Sequence, residues 1–356
     1  MKILFGVQGT GNGHIGRARK IAAHFAARGT DVTCLFSGRE RSALFDMEIF
    51  GNFEHRGGVT LAQRNGELLY WSTYREWRKL RFLRDLFALD VGGYDLVISD
   101  FEPLTAWAAR LHNVPSIGIG NQYAFKYPIP RCGSNLISDM TMRSFAPVDV
   151  HVGTHWQHFN CNILPPIIDT SLERDDGGER HVLVYLPFER QARVTALLRR
   201  FPEYHFVQYA SDLKNGEIDN VTLRCTSLRG FRADLCRAEA VISNAGFELL
   251  AECLHMRIPI LAKPVKGQME QHSNACALQQ LGWGDTLETL DEARIRNWLQ
   301  SEHRVPVIRY PDVAGTLVDW ILQGHWTDVA MLADSLWSRT CVPDCTPSPL
   351  MEEIPA

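Results

Sequence analysis

Short apolar runs alternate with segments of helical periodicity along most of the chain, and no other feature limits its fold so strongly. In the first half, strands are predicted at residues 3–7, 32–36, 96–99, 116–119 and 148–152. A helical stripe that starts at Ile15 and stops before Gly29 separates the first two of them. Continuous apolar strands that alternate with helices are typical of a parallel sheet covered on both faces. We therefore predict an α/β protein.

Two adjacent prolines interrupt this alternation and mark a junction between two domains. Pro165 and Pro166 force an extended path, because proline fixes its own φ and disfavours helix in the residue before it. A second series of strands is predicted at 181–186, 205–209, 221–225, 240–243 and 258–262. The predicted domains are residues 1–162 and 168–325. Residues 326–356 are predicted to be a tail, disordered or loosely packed from Cys341 onward, where four prolines fall.

The composition argues against several classes of function. Lys and Arg number 37 and Asp and Glu number 41, so the net charge of −4 gives no reason to expect nucleic-acid binding. No apolar stretch reaches the roughly 18 residues of a membrane span, and the run at residues 3–7 is too short for a signal peptide. Nine cysteines show no zinc-type spacing. We therefore expect a cytoplasmic protein with reduced thiols.

A strand, a glycine turn and a helix start follow one another at residues 240–252. Asn244, Ala245, Gly246 and Phe247 form the turn and the first helical position. Free backbone N–H groups and the positive end of the helix dipole make such a turn a phosphate site. Glu252 follows one to two turns further on, where a carboxylate can accept hydrogen bonds from a ribose. This segment therefore predicts a nucleotide diphosphate site.

A second helix start, at Glu270 and Gln271, follows the predicted strand 258–262. These two side chains offer acceptors and donors suited to sugar hydroxyls. Diphosphate, ribose and sugar together describe a nucleotide-sugar. The same segments are also compatible with an ordinary βαβ unit that carries polar residues at its helix starts, and this alternative stays open.

The loop after the first strand contains Gly11, Gly13 and Gly16, which spell the G-x-G-x-x-G dinucleotide fingerprint. A dehydrogenase is disfavoured, because the loop is too long and the ribose-binding acid after the second strand is missing. His14 stands at a helix start, which favours the neutral imidazole that a general base needs. The alternative for His14 is a structural or solvated histidine.

These motifs resemble those of the GT-B glycosyltransferases, in particular the UDP-glycosyltransferases and the peptidoglycan lipid-intermediate N-acetylglucosaminyltransferase. The matching residues are Asn244, Gly246, Glu252, Glu270-Gln271 and Asn274-Ala275, although many family members carry a phosphate-binding histidine where Asn244 stands. The resemblance implies two Rossmann-like domains with parallel sheets that face a central cleft. It assigns the acceptor to the N-terminal domain and the nucleotide-sugar to the C-terminal one.

The resemblance also implies roles for individual residues. Gly11, Gly13 and His14 match the loop that activates the acceptor, and Asp100 matches the aspartate that orients the histidine. Gly11 and Gly13 are also expected to contact the nucleotide-sugar. The alternative for Asp100 is an N-cap of the helix that begins near Glu102. Phe231 and Arg232 match the place where the family reads the nucleotide base.

Two motifs that are absent from the sequence bear on the stereochemistry of the transfer and on the use of a metal. Retaining relatives carry two glutamates eight positions apart, and here that spacing gives Asn244 and Glu252. No Asp-x-Asp occurs to hold a metal-bound diphosphate. The resemblance therefore implies an inverting transfer from a nucleotide-sugar, most simply a UDP-sugar, to an acceptor hydroxyl, with no cofactor or metal. The rival functions are a UDP-sugar 2-epimerase of the same architecture and a non-catalytic nucleotide-sugar binding protein.

Two further clusters leave alternatives open. His151, His155, His158 and Cys161 could be metal ligands, but their spacing fits no zinc pattern, and we predict no metal. The segment 69–84 mixes aromatic and basic residues and could lie on an anionic membrane at the inner face. Its alternative is a helix with a buried aromatic face. The acceptor is left open as a lipid-linked or small molecule.

Overall fold

The computed structural model describes residues 1–59, 63–64, 67–68, 79–133, 140, 142, 144–175, 177–324 and 326–343. Two sheets dominate it, one of six strands in the N-terminal half and one of seven in the C-terminal half. A separate two-stranded antiparallel sheet completes the strands of the described residues.

The N-terminal sheet is wholly parallel, as its apolar strands predict. The strands of this half are β1 (Lys2–Gln8), β2 (Asp31–Ser37), β3 (Glu54–His55), β4 (Gln63–Arg64), β5 (Glu67–Leu68), β6 (Leu96–Asp100), β7 (Ser116–Gly120) and β8 (Val150–Gly153). The sheet order is β3-β2-β1-β6-β7-β8, and β4 pairs with β5 apart from it. β6 and β7 are buried at every position, so they lie at the centre of the domain.

Helices cover this sheet or cap its strands. Those between β1 and β8 whose bounds lie within the described residues are α1 (Asn12–Ala27), α2 (Lys79–Phe87), α3 (Pro103–His112) and α4 (Asn121–Ala124). α1 begins directly after the glycine loop, with Gly11 as its N-cap. The parallel arrangement brings the starts of α1 and α3 to the same edge of the sheet, where β1 and β6 end.

The C-terminal sheet is parallel except for one edge strand. Its strands are β9 (His181–Tyr185), β10 (Phe206–Ala210), β11 (Gly216–Ile218), β12 (Val221–Cys225), β13 (Ala238–Asn244), β14 (Ile260–Lys263) and β15 (Asp285–Thr286). The order is β11-β12-β10-β9-β13-β14-β15, with β11 antiparallel to β12. Its helices are α5 (Gln191–Leu198), α6 (Leu228–Arg237), α7 (Phe247–Met256), α8 (Met269–Leu281) and α9 (Glu292–Leu299).

The last two helices correct the predicted domain boundaries. α10 (Val313–Gln323) and α11 (Val329–Trp337) return to the N-terminal half instead of completing the C-terminal domain. Leu317 and Ile321 of α10 share one apolar core with Phe25 of α1. Arg28 and Asp319 add a bidentate ion pair between the two helices. No local sequence pattern indicates which core the apolar face of α10 covers.

The predicted tail is likewise wrong for residues 329–337. α11 buries Leu332 and Leu336 in the N-terminal core, and Trp337 donates from its indole nitrogen to the Ile163 carbonyl at 2.6 Å. Of the proline-rich segment, residues 344–356 lie outside the described residues.

One pair of cysteines corrects the expectation of reduced thiols. Cys132 and Cys276 form a disulfide between an N-terminal loop and α8, across a sequence separation of 144 residues. The spacing of the cysteines along the sequence does not predict this pair, because the two residues come together only in the folded chain. The cysteines that the described residues leave free are Cys34, Cys161, Cys225, Cys236, Cys253 and Cys341.

In the described part of the chain, none of the helices has both the length and the apolar character needed to cross a bilayer.

Candidate active site

Two adjoining cavities occupy the cleft between the domains. The larger has a volume of about 240 Å³ and the smaller a volume of about 130 Å³, and the predicted residue Gly13 lines both. The other predicted residues that line the larger cavity are Gly11, His14, Asn244, Gly246, Phe247, Glu270 and Gln271. The other predicted residues that line the smaller cavity are Phe231, Arg232 and Glu252. The fold therefore brings residues from distant parts of the sequence to one place.

His14 and Asp100 meet at the edge of the larger cavity. The Nδ1 atom of His14 lies 2.6 Å from the Oδ1 atom of Asp100, which follows from their positions at the start of α1 and the end of β6. A carboxylate only accepts hydrogen bonds, so Nδ1 carries the proton and donates it. In the neutral form of the ring, the Nε2 atom keeps its lone pair, and the ring borders the cavity. The pair has the arrangement of a general base with its orienting acid.

Asp100 is fully buried and still ionised. Burial alone would raise the pKa of its carboxyl group, but the charge of Arg17 and the hydrogen bonds from Arg17 and His14 outweigh it and hold the pKa below its usual range. The alternative role of Asp100 as a helix cap is wrong. Glu102 caps α3 instead, by accepting from the backbone N–H groups of Leu104 and Thr105.

Arg17 is the main site residue that the sequence analysis missed. Its Nε and Nη2 atoms donate to the two carboxylate oxygens of Asp100 at 2.8 and 2.6 Å, and its Nη1 atom pairs with Glu248 of α7. The Nη2 atom also lies 3.2 Å from Nδ1 of His14. The signal was present in the sequence, because residues three apart in a helix lie on one face and Arg17 follows His14 by three.

The start of α7 borders the larger cavity, but one predicted residue there has another role. Gly246 is the N-cap and no side chain caps the helix, so the first-turn N–H groups of Phe247, Glu248 and Leu249 lack intrahelical acceptors. Ala245 was predicted to bind the diphosphate, yet it is fully buried and donates its N–H to the Lys263 carbonyl at 3.2 Å. It continues the pairing of β13 with β14 and does not line either cavity.

The smaller cavity is lined by three aromatic rings, three cations and two carboxylates. The ring of Phe231 packs edge-on against Tyr185 and Tyr209. Glu252 lies 3.4 Å from the Nζ atom of Lys20 on α1, so the carboxylate predicted to bind ribose is paired across the cleft. Burial lowers the pKa of Lys20, and Glu252 opposes this shift. Arg232, another of the cations, lies 3.0 Å from Asp169.

The two polar residues at the start of α8 differ in their surroundings. Glu270 accepts a hydrogen bond from Gln122 of the N-terminal domain at 3.0 Å. Gln271 is buried, and its Oε1 atom accepts from the Val265 backbone N–H at 2.9 Å. Gln271 therefore holds the loop before α8. Glu270 is the more available group for a ligand in the larger cavity.

The histidine cluster near the domain junction does not converge on a metal. His155 is buried and accepts from the Trp156 backbone N–H, and His158 accepts from the Asn160 backbone N–H. His151 contacts Lys126, a cation. Within the described ranges, no three His, Cys, Asp or Glu side chains are placed to hold a metal ion.

Comparisons with known proteins identify the family and the fold of the chain. The family model of glycosyl transferase family 1 matches residues 1–306. MurG of Acinetobacter baumannii superposes with a TM-score of 0.53 at 15% identity, over 91% of this chain and 100% of that one. CalG4, the calicheamicin glycosyltransferase, gives 0.56 at 15% over 95% and 99%. No curated protein sequence matches the chain significantly.

A third solved structure contains a nucleotide. The glycosyltransferase SsfS6 of Streptomyces sp. SF2575, solved with thymidine diphosphate, has a TM-score of 0.56 at 13% identity over 94% of this chain and 96% of that one. Identities this low show a common fold and nothing finer. They confirm the predicted GT-B architecture, two Rossmann-like α/β domains facing a cleft.

We predict that His155 contributes an acid-sensitive term to stability. Burial lowers its pKa from 6.5 to about 3, so between these values the unfolded chain binds a proton that the native chain does not. The stability due to neutral His155 is complete above pH 6.5 and is lost as the pH falls toward 3. The side chain in His155→Asn retains an acceptor but cannot titrate. The free energy of unfolding of this variant should therefore fall less steeply below pH 6.5 than that of the parent, and the two slopes should differ by up to about 1.4 kcal/mol per pH unit. Urea denaturation between pH 7 and 4.5 measures both slopes, and equal slopes would contradict this prediction.

Proposed function

The chain belongs to glycosyl transferase family 1, and from this premise we propose that it is an inverting enzyme that moves a sugar from a UDP-sugar to an acceptor hydroxyl. The contact that carries the proposal is the 2.6 Å hydrogen bond between His14 and Asp100 at the edge of the larger cavity. The start of α7 borders the same cavity, so a base and a phosphate-binding helix face one space.

The proposed reaction is a single displacement. The Nε2 atom of His14 takes the proton of the acceptor hydroxyl while that oxygen forms a bond to the anomeric carbon. The bond from the anomeric carbon to the diphosphate oxygen breaks at the same time, and its electron pair leaves with UDP. Asp100 keeps the imidazole oriented and balances the charge of the imidazolium.

The leaving diphosphate needs positive charge nearby, and three sources support this part of the proposal. The first-turn N–H groups of α7 lie at the positive end of the helix dipole, which faces the cleft. Lys20 and Arg232 line the smaller cavity, which adjoins the larger one at Gly13 and Glu248. The proposal assigns this task to these groups and to no metal. Phe231, in the same cavity, is the proposed contact of the uracil base.

Membership of the family decides between the rival functions. A glycosyl transferase family favours transfer over 2-epimerisation and over binding without turnover. The choice of UDP rests on the resemblance of Phe231 and Arg232 to the base-binding segment. SsfS6 was solved with thymidine diphosphate, so dTDP is the alternative nucleotide that a binding experiment must include.

We propose further that α2 brings the enzyme to an anionic membrane, where a lipid-linked acceptor would be found. Leu80, Leu83 and Phe87 are 84%, 44% and 72% exposed, and their spacing places them along one side of the helix. Arg81 and Arg84 are 46% and 73% exposed beside them, which suits anionic headgroups. Residues 69–78 of the predicted contact segment lie outside the described residues.

The first prediction concerns Glu252 and the nucleotide. Glu252→Ala should weaken UDP binding about ten- to a hundredfold, because a hydrogen bond to a charged group contributes about 1.5–3 kcal/mol. Isothermal titration calorimetry with UDP, dTDP, GDP and ADP measures the effect and identifies the base. Glu179→Ala is the matched control, since Glu179 is an 82% exposed glutamate of the same domain. Equal UDP affinity in Glu252→Ala and the parent would remove Glu252 from the nucleotide site.

The second prediction concerns catalysis. His14→Ala should lower the rate of UDP release about 10²–10⁴-fold, the usual contribution of a positioned base, and leave UDP affinity nearly unchanged. The substrate is the UDP-sugar that most stabilises the protein in a thermal-shift screen, with water or a tested alcohol as acceptor. Asp100→Asn should lower the rate less, and the double variant should be little slower than His14→Ala, because the two residues act as a unit.

The control for this experiment is His24→Ala, which removes a histidine of the same helix outside both cavities. It should keep the parent rate. The proposed mechanism is wrong if His14→Ala keeps near-parental turnover, or if the losses of the two single variants multiply in the double variant.

The third prediction concerns the membrane. The protein should sediment with vesicles that contain phosphatidylglycerol and much less with pure phosphatidylcholine vesicles. Leu80→Glu combined with Phe87→Glu should abolish sedimentation, because each change opposes insertion of the apolar stripe. Leu111→Glu is the control, since Leu111 is 49% exposed on α3. A parent protein that stays in the supernatant, or a double variant that still sediments, would exclude α2 as a membrane contact.

A further inference from the structure

Four side chains form a continuous row of ionisable groups across the cleft. The row runs from His14 through Asp100 and Arg17 of the N-terminal domain to Glu248 of the C-terminal domain. Asp100 is fully buried and Arg17 is 2% exposed, so water screens these charges little. The row therefore controls the electrostatic environment of the proposed base.

Arg17 uses its whole guanidinium group inside this row. Two of its nitrogens hold both oxygens of Asp100, and the third faces Glu248. Such a fork holds a carboxylate in one plane, which a lysine cannot do. The plane of Asp100 in turn fixes the direction of the His14 ring through the 2.6 Å hydrogen bond.

The charges of the row decide which form of His14 is favoured. Asp100 stabilises the imidazolium, and the positive charge of Arg17, 3.2 Å from Nδ1, opposes it. Glu248 partly neutralises Arg17 from the far side. The other acid that lines the same cavity is Glu270 of α8, which binds Gln122. Asp100 and Arg17 therefore act on the ring with charges of opposite sign from hydrogen-bond distance.

We propose that Arg17 is a positioning residue that keeps His14 in its neutral form, and that Glu248 adjusts this balance from the helix that binds the nucleotide-sugar. The inference rests on the proposed role of His14 as the base. Because Glu248 belongs to α7, the row is complete only when the two domains are closed on each other. The base is thus tuned by the presence of the C-terminal domain.

The glycine at position 13 fits this assignment. A Cβ atom on Gly13 would collide with the carboxylate of Glu248, so a side chain there would push Glu248 away from Arg17. Glu248 also borders both cavities, which places it where the diphosphate and the sugar of a bound UDP-sugar would meet. The row therefore ends at the reacting centre.

The test is the pH dependence of UDP release at saturating UDP-sugar. In Arg17→Gln, an unopposed Asp100 favours the imidazolium, so the pH at which the rate falls to half on the acid side should rise by about one to three units. In Glu248→Gln, the charge of Arg17 is no longer balanced, so the same pH should fall. Arg17→Lys keeps the charge and loses the fork, so the midpoint should stay while the rate drops up to about a hundredfold.

Arg28→Gln is the matched control, because Arg28, the C-cap residue of α1, makes a bidentate contact with Asp319 of α10 away from the cleft. It should leave both the midpoint and the rate unchanged. If Arg17→Gln does not fold, Glu248→Gln and Arg17→Lys still give the readout. Midpoints that stay at the parent value in Arg17→Gln or Glu248→Gln would overturn the inference and leave Arg17 as a purely structural residue.

The same data separate this inference from the proposed function. If His14→Ala retains turnover, the base assignment itself is wrong. If His14→Ala is inactive and the midpoints of the Arg17 and Glu248 variants do not move, the base assignment stands and only the tuning role fails.

Discussion

Asp100 is a fully buried carboxylate, and an ion of this kind is tolerated only when opposite charge lies at hydrogen-bond distance. Arg17 provides that charge through two nitrogens, and His14 provides a third contact. Removing Arg17, which contacts both oxygens, would leave an uncompensated ion at the end of β6, in the centre of the N-terminal sheet. The contacts that compensate the buried charge of Asp100 therefore also set the orientation of His14, the candidate base.

The domains are tied together on more than one side of this charge. Arg17 and Lys20 lie one helical turn apart on α1, and they face Glu248 and Glu252, which lie one turn apart on α7. Away from the cleft, α10 and α11 follow the C-terminal domain in sequence but complete the N-terminal core. The chain thus crosses between the domains twice. The ion pairs of α1 with α7 add further contacts between the same two domains.

The fold class and several candidate site residues could be predicted from local sequence patterns. The other features of the fold and of the site depend on contacts that no local pattern encodes. Strand and helix periodicity predicted the α/β class, the glycine loop drew attention to His14, and a strand followed by a turn predicted the helix start at Gly246. The role of Asp100 was predicted only through the resemblance to a family. The destination of α10, the pairing of Cys132 with Cys276 and the ion pair of Arg17 with Glu248 join residues far apart in sequence. Ala245 was misassigned because a helix start was predicted without the strand pairing that uses its N–H.

The neutral residue at position 244 has a consequence for the proposed reaction. Asn244 donates from its side chain to the Lys263 carbonyl at 3.0 Å and brings no charge to the phosphate site. On the proposed function, the leaving diphosphate must then be stabilised by the start of α7 together with Arg232 and Lys20. Lys20 belongs to the N-terminal domain, so on this proposal both domains contribute charge to the leaving group, just as both contribute residues to the row from His14 to Glu248.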